Sequence, residues 1–317
     1  MNQLQQLRNY TTVVADSSDF ETIVSFKPSD ATTNPSLIYS AVKSQKYNSL
    51  VDSAITYAKS KSDNQYFQLT IALEKLAVEF GIETLRLIDG RVSTEVDSRL
   101  SFDTPDTIIK ARQMIDLYEA SGIDRKRVLI KIAATWEGIQ AAEQLTKEGI
   151  NCNLTLLFSM PQAIACAEVG VKLISPFVGR ILDWHLKEQG IRHITSSEEP
   201  GVKLVTDIFN YYKKYDYKTE IMAASFRNID EIIELAGCDL MTISPKLLSE
   251  LEQTDRTVTR KLLLPEKQRS ANMEPLNEIQ FRWMMNEDAM ATEKLAEGIR
   301  KFTSDLMMLE KIILEKL

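Results

Sequence analysis

The sequence has few of the residues that build metal centres and disulfide frameworks. Its 317 residues include only three cysteines and two histidines. Cys152, Cys166 and Cys238 form no CxxC pair, and this sparse, odd set predicts reduced thiols in a cytoplasmic protein. His185 and His193 lie in a polar stretch, and no cysteine or carboxylate completes a ligand set around them. We therefore expect neither a metal ion nor a cofactor.

The sequence also lacks the signatures of membrane proteins and of nucleic-acid-binding proteins. No apolar run approaches the roughly 20 residues that a membrane-spanning helix needs. Residues 1–19 contain no apolar core, so we expect no secretory signal. The net charge of -7 and the absence of a strongly basic stripe argue against nucleic acid and anionic membranes as partners.

What the sequence does contain is a repeated alternation of apolar strand-like runs and amphipathic helical stretches. The predicted strands lie at residues 10–16, 30–34, 91–96, 128–133, 151–157, 172–178, 220–225 and 240–244. Eight such units in an α/β chain predict a closed (β/α)8 TIM barrel, which we expect to form a single domain over residues 1–317. An open doubly wound sheet is the alternative, but it usually has a glycine-rich turn after the first strand, and VVADSSDF has none.

Several segments are longer than eight simple strand–helix units require. Residues 35–90 should hold at least two helices, and residues 179–219 should hold an extra one. Residues 293–317 have the amphipathic pattern of a long C-terminal helix. Residues 252–280 lack clear periodicity, and either a mobile loop or an ordered excursion over the barrel mouth would fit them.

One lysine stands in an otherwise apolar strand. In VLIKIA, residues 128–133, alternation along the strand places Leu129, Lys131 and Ala133 on one face. The same rule puts Glu95 on the polar face of RVSTEV, and Asn153 with Thr155 on the polar face of NCNLTLL. The apolar faces should lie under the helices, so these polar side chains should converge inside the barrel, where polar groups need a partner or a function.

The polar residues come late in their strands, where α/β barrels place catalytic groups. They are Asp16, Asn34, Glu95, Lys131, Thr155, Ser175 and Ser225, with Arg227 just beyond. For a single serine or asparagine, the start of a loop explains the position equally well. For Glu95 and Lys131 the alternative is a buried ion pair that fixes the register of the barrel.

This set of side chains suits an aldol reaction on a phosphorylated sugar. Burial disfavours the ammonium form of a lysine, and a neutral amine forms a Schiff base with a carbonyl. The iminium is an electron sink, so a neighbouring C–C bond can break once Asp16 or Glu95 takes a hydroxyl proton. Arg180 and Arg227 could hold a phosphate through bidentate hydrogen bonds.

Six segments resemble those of transaldolases, in family order and at family spacing. DATTNPSLI (30–38) resembles the first family signature, and VLIKIAATWEGIQAAEQL (128–145) resembles the second, around the Schiff-base lysine. The others are GRVSTEVDSRLSFDT (90–104), INCNLTLLFS (150–159), LISPFVGRILDW (173–184) and MAASFRNIDEI (222–232). The chain is most similar to the bacterial, homodimeric subfamily, whose members are (β/α)8 barrels of this length.

The resemblance implies a catalytic set of four residues. Lys131 would form the Schiff base with the C2 carbonyl of a ketose. Asp16 would be the acid and base at the C4 hydroxyl. Glu95 and Thr155 would handle the catalytic water as the carbinolamine forms and breaks down.

The resemblance also implies the substrate-binding residues. These are Asn34, Asn153 and Ser175 at the hydroxyls of the dihydroxyacetone unit, and Arg180, Ser225 and Arg227 at the phosphate. Phe177 would favour transfer, because related aldolases that release free dihydroxyacetone have tyrosine there. Plain core packing explains Phe177 equally well.

The implied reaction moves a dihydroxyacetone unit between sugar phosphates in the non-oxidative pentose phosphate pathway. Sedoheptulose 7-phosphate or fructose 6-phosphate would donate it to glyceraldehyde 3-phosphate or erythrose 4-phosphate. Two other hypotheses stand beside this one. One is a simpler class I aldolase that releases a free three-carbon product. The other is a non-catalytic sugar-phosphate-binding barrel with a Lys131–Glu95 ion pair.

Overall fold

The computed structural model describes residues 1–264 and 275–317, and its centre is a closed barrel of eight parallel strands. The strands follow chain order around the barrel, and the last one, β8, pairs with the first, β1. They are β1 Thr12–Asp16, β2 Asp30–Thr32, β3 Val92–Glu95, β4 Val128–Ala133, β5 Cys152–Leu157, β6 Leu173–Pro176, β7 Glu220–Ala223 and β8 Leu240–Ile243. The predicted (β/α)8 barrel is confirmed, and each strand lies within its predicted segment.

The described part of the chain contains fourteen α-helices, most of which surround the barrel. They are α1 Gln3–Leu7, α2 Phe20–Phe26, α3 Pro35–Lys43, α4 Asn48–Lys61, α5 Gln65–Leu85, α6 Thr104–Ala120, α7 Trp136–Lys147, α8 Met160–Glu168, α9 Gly179–Gln189, α10 Pro200–Lys214, α11 Ile229–Glu234, α12 Pro245–Glu252, α13 Glu278–Glu287 and α14 Ala289–Leu314. None of the helices in the described ranges is both long and apolar enough to cross a membrane.

The barrel interior is built in layers because side chains alternate along each strand. An apolar cluster of Val14, Leu129, Leu173, Met222 and Leu240 fills the middle of the barrel. The residues two positions later on these strands include Asp16, Lys131 and Ser175, so a polar layer lies directly above the apolar one. The opposite strand faces, with Ile130 and Ile132 in β4, join the main core under the helices.

Helix caps tie the carboxyl ends of the strands to the helices that follow. Asn34 caps α3 by accepting a hydrogen bond of 2.9 Å from the backbone nitrogen of Leu37, and Pro35 occupies the first turn. Thr135 caps α7 in the same way. At the other end of the helices, Gly149 adopts a positive φ of 75° after α7, a left-handed conformation that favours glycine.

The longer connections contain more structure than the predicted minimum. Residues 35–90 hold three helices, α3 to α5, and the predicted extra helix in residues 179–219 is α10. The C-terminal helix is also longer than predicted, since it begins at Ala289. A Cβ atom at Gly298 of α14 would lie 2.6 Å from Cδ2 of Leu156 in β5, so a larger residue at this position would require the Leu156 side chain to move.

The aperiodic stretch 252–280 is only partly described, because residues 265–274 lie outside the described ranges. The part before the gap packs against the end of the barrel that lies opposite the mouth. The backbone nitrogen of Val258 donates to Gln6 of α1 at 2.9 Å, and that of Leu262 donates to the carbonyl of Ala236 at 3.0 Å. After the gap, α13 begins at Glu278. Residues 253–264 therefore do not form a loop over the mouth. They are attached to the barrel by these hydrogen bonds.

A charged cluster closes the amino ends of the strands. Arg91 in the loop before β3 donates to Asp30 of β2 at 3.0 Å and to Glu220 of β7 at 2.8 Å. The Arg91 side chain is only 19% exposed. This guanidinium lies between two carboxylates at the floor of the barrel, and Lys172 also pairs with Glu220, at 2.9 Å.

We expect Arg91→Met to lower the free energy of unfolding by about 2 kcal/mol, because it leaves the partly buried carboxylate of Asp30 without its cation. Glu220 would keep its ion pair with Lys172 at 2.9 Å. Urea unfolding followed by circular dichroism measures this. Arg86→Met is the matched control, since the Arg86 side chain is 66% exposed and makes a surface pair with Glu83. Equal unfolding midpoints for the two variants would contradict this account of the floor.

Candidate active site

A cavity of about 340 Å³ opens at the carboxyl ends of the strands. Nine of the eleven predicted site residues line it, and the other two, Glu95 and Asn153, contact residues that do. The nine are Asp16, Asn34, Lys131, Thr155, Ser175, Phe177, Arg180, Ser225 and Arg227. The barrel therefore brings together in one place the side chains that the sequence distributes over about 200 residues.

Lys131 and Glu95 form a buried pair in the polar layer. Glu95 in β3 stands opposite Lys131 in β4 in the strand register, and Nζ lies 3.0 Å from Oε2. Their side chains are only 6% and 3% exposed. Nζ also donates to the backbone oxygen of Thr33 at 3.3 Å and lies 5.6 Å from the ring centre of Phe302. The amine is thus buried among protein atoms and lines the cavity.

Two acceptor atoms close to this pair have no aligned donor among the described residues. They are Oε2 of Glu95, whose contact with Lys131 is one of charge rather than an aligned hydrogen bond, and Oγ1 of Thr155. Burial raises the pKa of Glu95, while the charge of Lys131 opposes that rise. Buried polar atoms without partners are costly, so this arrangement suits a water or a substrate hydroxyl that would satisfy both.

Asp16 ends β1 and faces the same cavity. Burial raises its pKa, and the charge of Lys131 and a hydrogen bond from Thr32 at 3.2 Å oppose the rise. The hydroxyl of Thr32 in turn lies 2.7 Å from that of Thr242. A carboxylate whose pKa is raised is a stronger proton acceptor at neutral pH than an ordinary aspartate.

A short hydrogen-bonded chain fixes the amide of Asn153. Its Nδ2 donates to Ser93 at 3.0 Å, and its Oδ1 accepts from the Ser175 hydroxyl at 2.7 Å. On the other side of the cavity the Oδ1 of Asn34 caps α3, so its Nδ2 is the part available to a ligand. These groups are held in place by the protein before any ligand binds.

Two guanidiniums converge at the rim of the cavity. Burial, and then the nearby charge of Arg227, lower the pKa of Arg180, as expected for cations brought together without an anion between them. Arg180 lies in the first turn of α9, directly after Gly179. Asp183 holds Arg227 through hydrogen bonds of 3.1 and 2.7 Å. This rim has the chemistry of an oxyanion subsite.

The backbone at this rim is tightly constrained. Ser225 has a positive φ of 62°, which is unusual for a residue other than glycine. Its carbonyl accepts a hydrogen bond of 2.8 Å from the backbone nitrogen of Gly179. A Cβ atom at position 179 would lie 2.5 Å from that carbonyl and 2.6 Å from Cγ of Arg227, so only glycine allows α9 this close.

Phe177 packs between an aromatic ring and a cation. Its ring centre lies 5.4 Å from that of Phe158 and 4.8 Å from the guanidinium carbon of Arg180. Phe177 is buried and also lines the cavity. It is therefore both a core residue and a residue of the site, the two alternatives that the sequence left open.

The sequence reasoning did not identify several residues that line the cavity. Thr32 and Thr242 follow the same rule of late polar residues in strands and could have been found by it. Lys301 and Phe302 come from α14, whose amphipathic pattern indicates a helix but not where that helix packs. No local signal in the sequence places α14 over the barrel mouth.

The fold and site define this protein as a (β/α)8 barrel with a buried lysine–carboxylate pair in a cavity at the carboxyl ends of its strands. Residues 13–313 match the family of Transaldolase/Fructose-6-phosphate aldolase. The chain is 58% identical over 317 residues to Transaldolase B of Pasteurella multocida, with 100% of both chains covered. It is 56% identical over 316 residues to Transaldolase of Shewanella amazonensis, with 100% of this chain and 99% of the relative covered.

The chain therefore belongs to the transaldolase and fructose-6-phosphate aldolase family. The resemblance that the sequence motifs indicated is confirmed.

We expect Lys131→Met to destabilise the protein more at pH 8 than at pH 5. Without Lys131 the already raised pKa of Glu95 rises further, and a raised folded-state pKa gives stability that is lost as pH rises through it. At pH 8 the loss should be about 3 kcal/mol, in the range for breaking a buried ion pair. Urea unfolding at the two pH values measures it.

The matched control is the double variant Lys131→Met with Glu95→Gln, which removes Glu95 and keeps Asp16, whose raised pKa the charge of Lys131 also opposes. Its stability should fall less between pH 5 and pH 8 than that of the single variant. The same pH-dependent loss in single and double variants would show that Glu95 is not the cause.

Proposed function

We propose that this protein is a transaldolase that moves a dihydroxyacetone unit through a Schiff base on Lys131. The donor would be sedoheptulose 7-phosphate or fructose 6-phosphate, and the acceptor glyceraldehyde 3-phosphate or erythrose 4-phosphate. The observation that carries the proposal is the buried Lys131 amine, 3.0 Å from a carboxylate, in a cavity with an anion-binding rim. Membership of the family supports it.

The first steps form the iminium. Glu95, in contact with Nζ, takes a proton from the lysine, and the amine adds to the C2 carbonyl of the donor. The carbinolamine then loses water. The unpartnered oxygens of Glu95 and Thr155 would hold that water, and they would return it when the Schiff base is hydrolysed.

The next step breaks the bond between C3 and C4. Asp16 takes the proton of the C4 hydroxyl, the electrons of the bond flow into the iminium, and the aldose leaves. The dihydroxyacetone carbons remain on Lys131 as an enamine. When an acceptor aldehyde arrives, the enamine carbon attacks it and Asp16 returns the proton to the new alkoxide. Burial, which raises the pKa of Asp16, supports both directions of this transfer.

The remaining site residues would orient the sugar. Asn34, Asn153 and Ser175 would hold the hydroxyls of the three-carbon unit, and Arg180, Ser225 and Arg227 would bind the phosphate. Phe177 would keep the region beside the iminium apolar, so that hydrolysis is slow until an acceptor binds. The convergence of Arg180 and Arg227 is the strongest support for a phosphorylated substrate.

Two alternatives remain open to experiment. A simple class I aldolase would use the same lysine and carboxylates but release dihydroxyacetone. A non-catalytic barrel would need only the Lys131–Glu95 pair as a structural contact, and that pair is present. It would not need a second, half-buried carboxylate at Asp16 or an unpartnered hydroxyl at Thr155, which is why we favour catalysis.

We also propose that residues 1–317 act as one domain in a cytoplasmic homodimer. Support for a dimer comes from the apolar residues left exposed on α14. Met307, Met308 and Leu314 are 50%, 39% and 42% exposed.

Borohydride reduction in the presence of fructose 6-phosphate should leave a three-carbon adduct on Lys131, because the reduced Schiff base cannot hydrolyse. Digestion and mass spectrometry locate the adduct. Lys131→Arg should carry no adduct. Lys301→Arg, which changes the other cavity lysine, should leave the adduct on Lys131 intact. A folded protein without any adduct would rule out both Schiff-base mechanisms.

A parallel assay separates transfer from release. With fructose 6-phosphate alone the protein should release little free dihydroxyacetone, and with erythrose 4-phosphate it should form sedoheptulose 7-phosphate. Steady release without an acceptor would identify a simple aldolase.

Light scattering after size exclusion should give twice the chain mass of 36.0 kDa. Met307→Glu should shift the protein towards the monomer, because it puts a charge in the exposed apolar face of α14. Val24→Glu, at an exposed apolar residue of α2, is the control and should not. A wild-type monomer would exclude the proposed dimer.

A further inference from the structure

Two glutamates that the proposed reaction does not use lie together behind the anion-binding rim. Glu199 comes directly before α10, and Glu231 lies in the first turn of α11. They are 1% and 0% exposed, although glutamate is among the residues least often fully buried. Their position, next to the turn that carries Ser225 and Arg227, calls for an explanation.

The contacts of the two carboxyl groups indicate that they share a proton. Glu199 and Glu231 are buried next to each other, and a carboxylate can accept but not donate, so a hydrogen bond between them requires a proton on one of the two. Oε2 of Glu199 and Oε1 of Glu231 are both buried, and neither has a donor of another kind among the described residues. Oε1 of Glu199 accepts from Ser196 at 3.3 Å.

The fourth oxygen of the pair connects it to the rim. Oε2 of Glu231 accepts a hydrogen bond of 2.6 Å from the backbone nitrogen of Arg227. Arg227 follows Ser225 by two residues, and Ser225 holds its unusual positive φ in the same turn. A backbone conformation of this kind persists only where surrounding contacts enforce it. The hydrogen bond from Arg227 to Glu231 is one of those contacts.

Charged groups on the neighbouring elements do not neutralise the pair. Those that pack around it are the ion pairs Arg227–Asp183, Glu198–Lys203, Asp230–Arg256 and Glu234–Lys261, with Lys246 and Glu250 exposed on α12. Each of the four cations in these pairs already has a carboxylate partner. Burial therefore raises the pKa of Glu231 to about 8, and Glu199 adds to the rise.

We propose that Glu199 and Glu231 are positioning residues whose shared proton holds the Ser225–Arg227 turn in the conformation that binds a phosphate. When the proton leaves, two like charges face each other in a buried site, and one carboxylate must move. Movement of Glu231 removes the acceptor from the Arg227 backbone and releases the turn. The inference rests on the proposed function only in taking Arg180, Ser225 and Arg227 as the phosphate subsite.

The direction of the pH effect follows from the raised pKa. The folded protein holds a proton that an ordinary glutamate would lose near pH 4.5, so the ordered turn is favoured at low pH and lost as pH rises through about 8. Affinity for an oxyanion should fall over the same range. Because only the protonated fraction binds, the apparent dissociation constant should rise about tenfold from pH 7 to pH 9.

Sulfate binding tests this without any catalytic step, since sulfate remains a dianion across the range. Isothermal titration calorimetry from pH 6.5 to pH 9.5 gives the dissociation constant of the wild type and of Glu199→Gln. The glutamine amide donates to Glu231 without needing a titratable proton. Glu199→Gln should therefore keep the affinity of the wild type at pH 7 and retain it at pH 9.

Two further variants make the test complete. Glu198→Gln changes the adjacent surface glutamate, 67% exposed and paired with Lys203, and should keep the pH dependence of the wild type. Glu231→Gln, which still offers an oxygen to Arg227 and a donor to Glu199, should remove that dependence and serves if Glu199→Gln does not fold. With fructose 6-phosphate at pH 9, Glu199→Gln and Glu231→Gln should have a lower KM than the wild type and the same kcat, and Glu198→Gln should match the wild type.

A wild-type sulfate affinity that stays constant from pH 7 to pH 9 would overturn the proposal. So would an equal fall in the wild type and in both glutamine variants. If the borohydride experiment fails but sulfate binding behaves as expected, the proton-sharing pair stands and only the proposed reaction is wrong.

Discussion

The contact between Lys131 and Glu95 is the interaction on which the rest of the site depends. A lysine in the interior of a barrel needs a compensating charge, and Glu95 supplies it from the neighbouring strand at the same level of the register. Neighbouring strands lie about 4.8 Å apart, so the backbone itself sets the separation of the two groups. The pair is therefore held by the sheet and not by a flexible loop.

The layers of the barrel determine where this chemistry can occur. Below the pair, Val14, Leu129 and Leu173 exclude water from the middle of the barrel. Above it, Phe302 of α14 covers the amine. Lys131, Glu95 and Asp16 thus lie between two apolar surfaces, and burial there raises the pKa of Asp16 and of Glu95 and strengthens charge interactions with a ligand.

The cavity also has an electrostatic direction. The carboxylates of Asp16 and Glu95 and the amine of Lys131 lie at its bottom, and the guanidiniums of Arg180 and Arg227 lie at its rim. A polyol with a carbonyl near one end and a phosphate at the other would match this arrangement in only one orientation. Glu199 and Glu231 do not line the cavity themselves, and they act on its rim through the backbone of Arg227.

Local pattern in the sequence was enough to predict the barrel and most of the site. The period of two along each strand identifies Lys131, Glu95 and Asn153 as inward-facing, and position late in a strand identifies Asp16 and Thr155. Tertiary structure alone decided that α14 covers the mouth with Phe302, that residues 253–264 run to the opposite end, and that Glu199 meets Glu231. The physical reason is that strand periodicity is a property of neighbouring residues, whereas these contacts join helices and loops whose packing depends on the assembled surface beneath them.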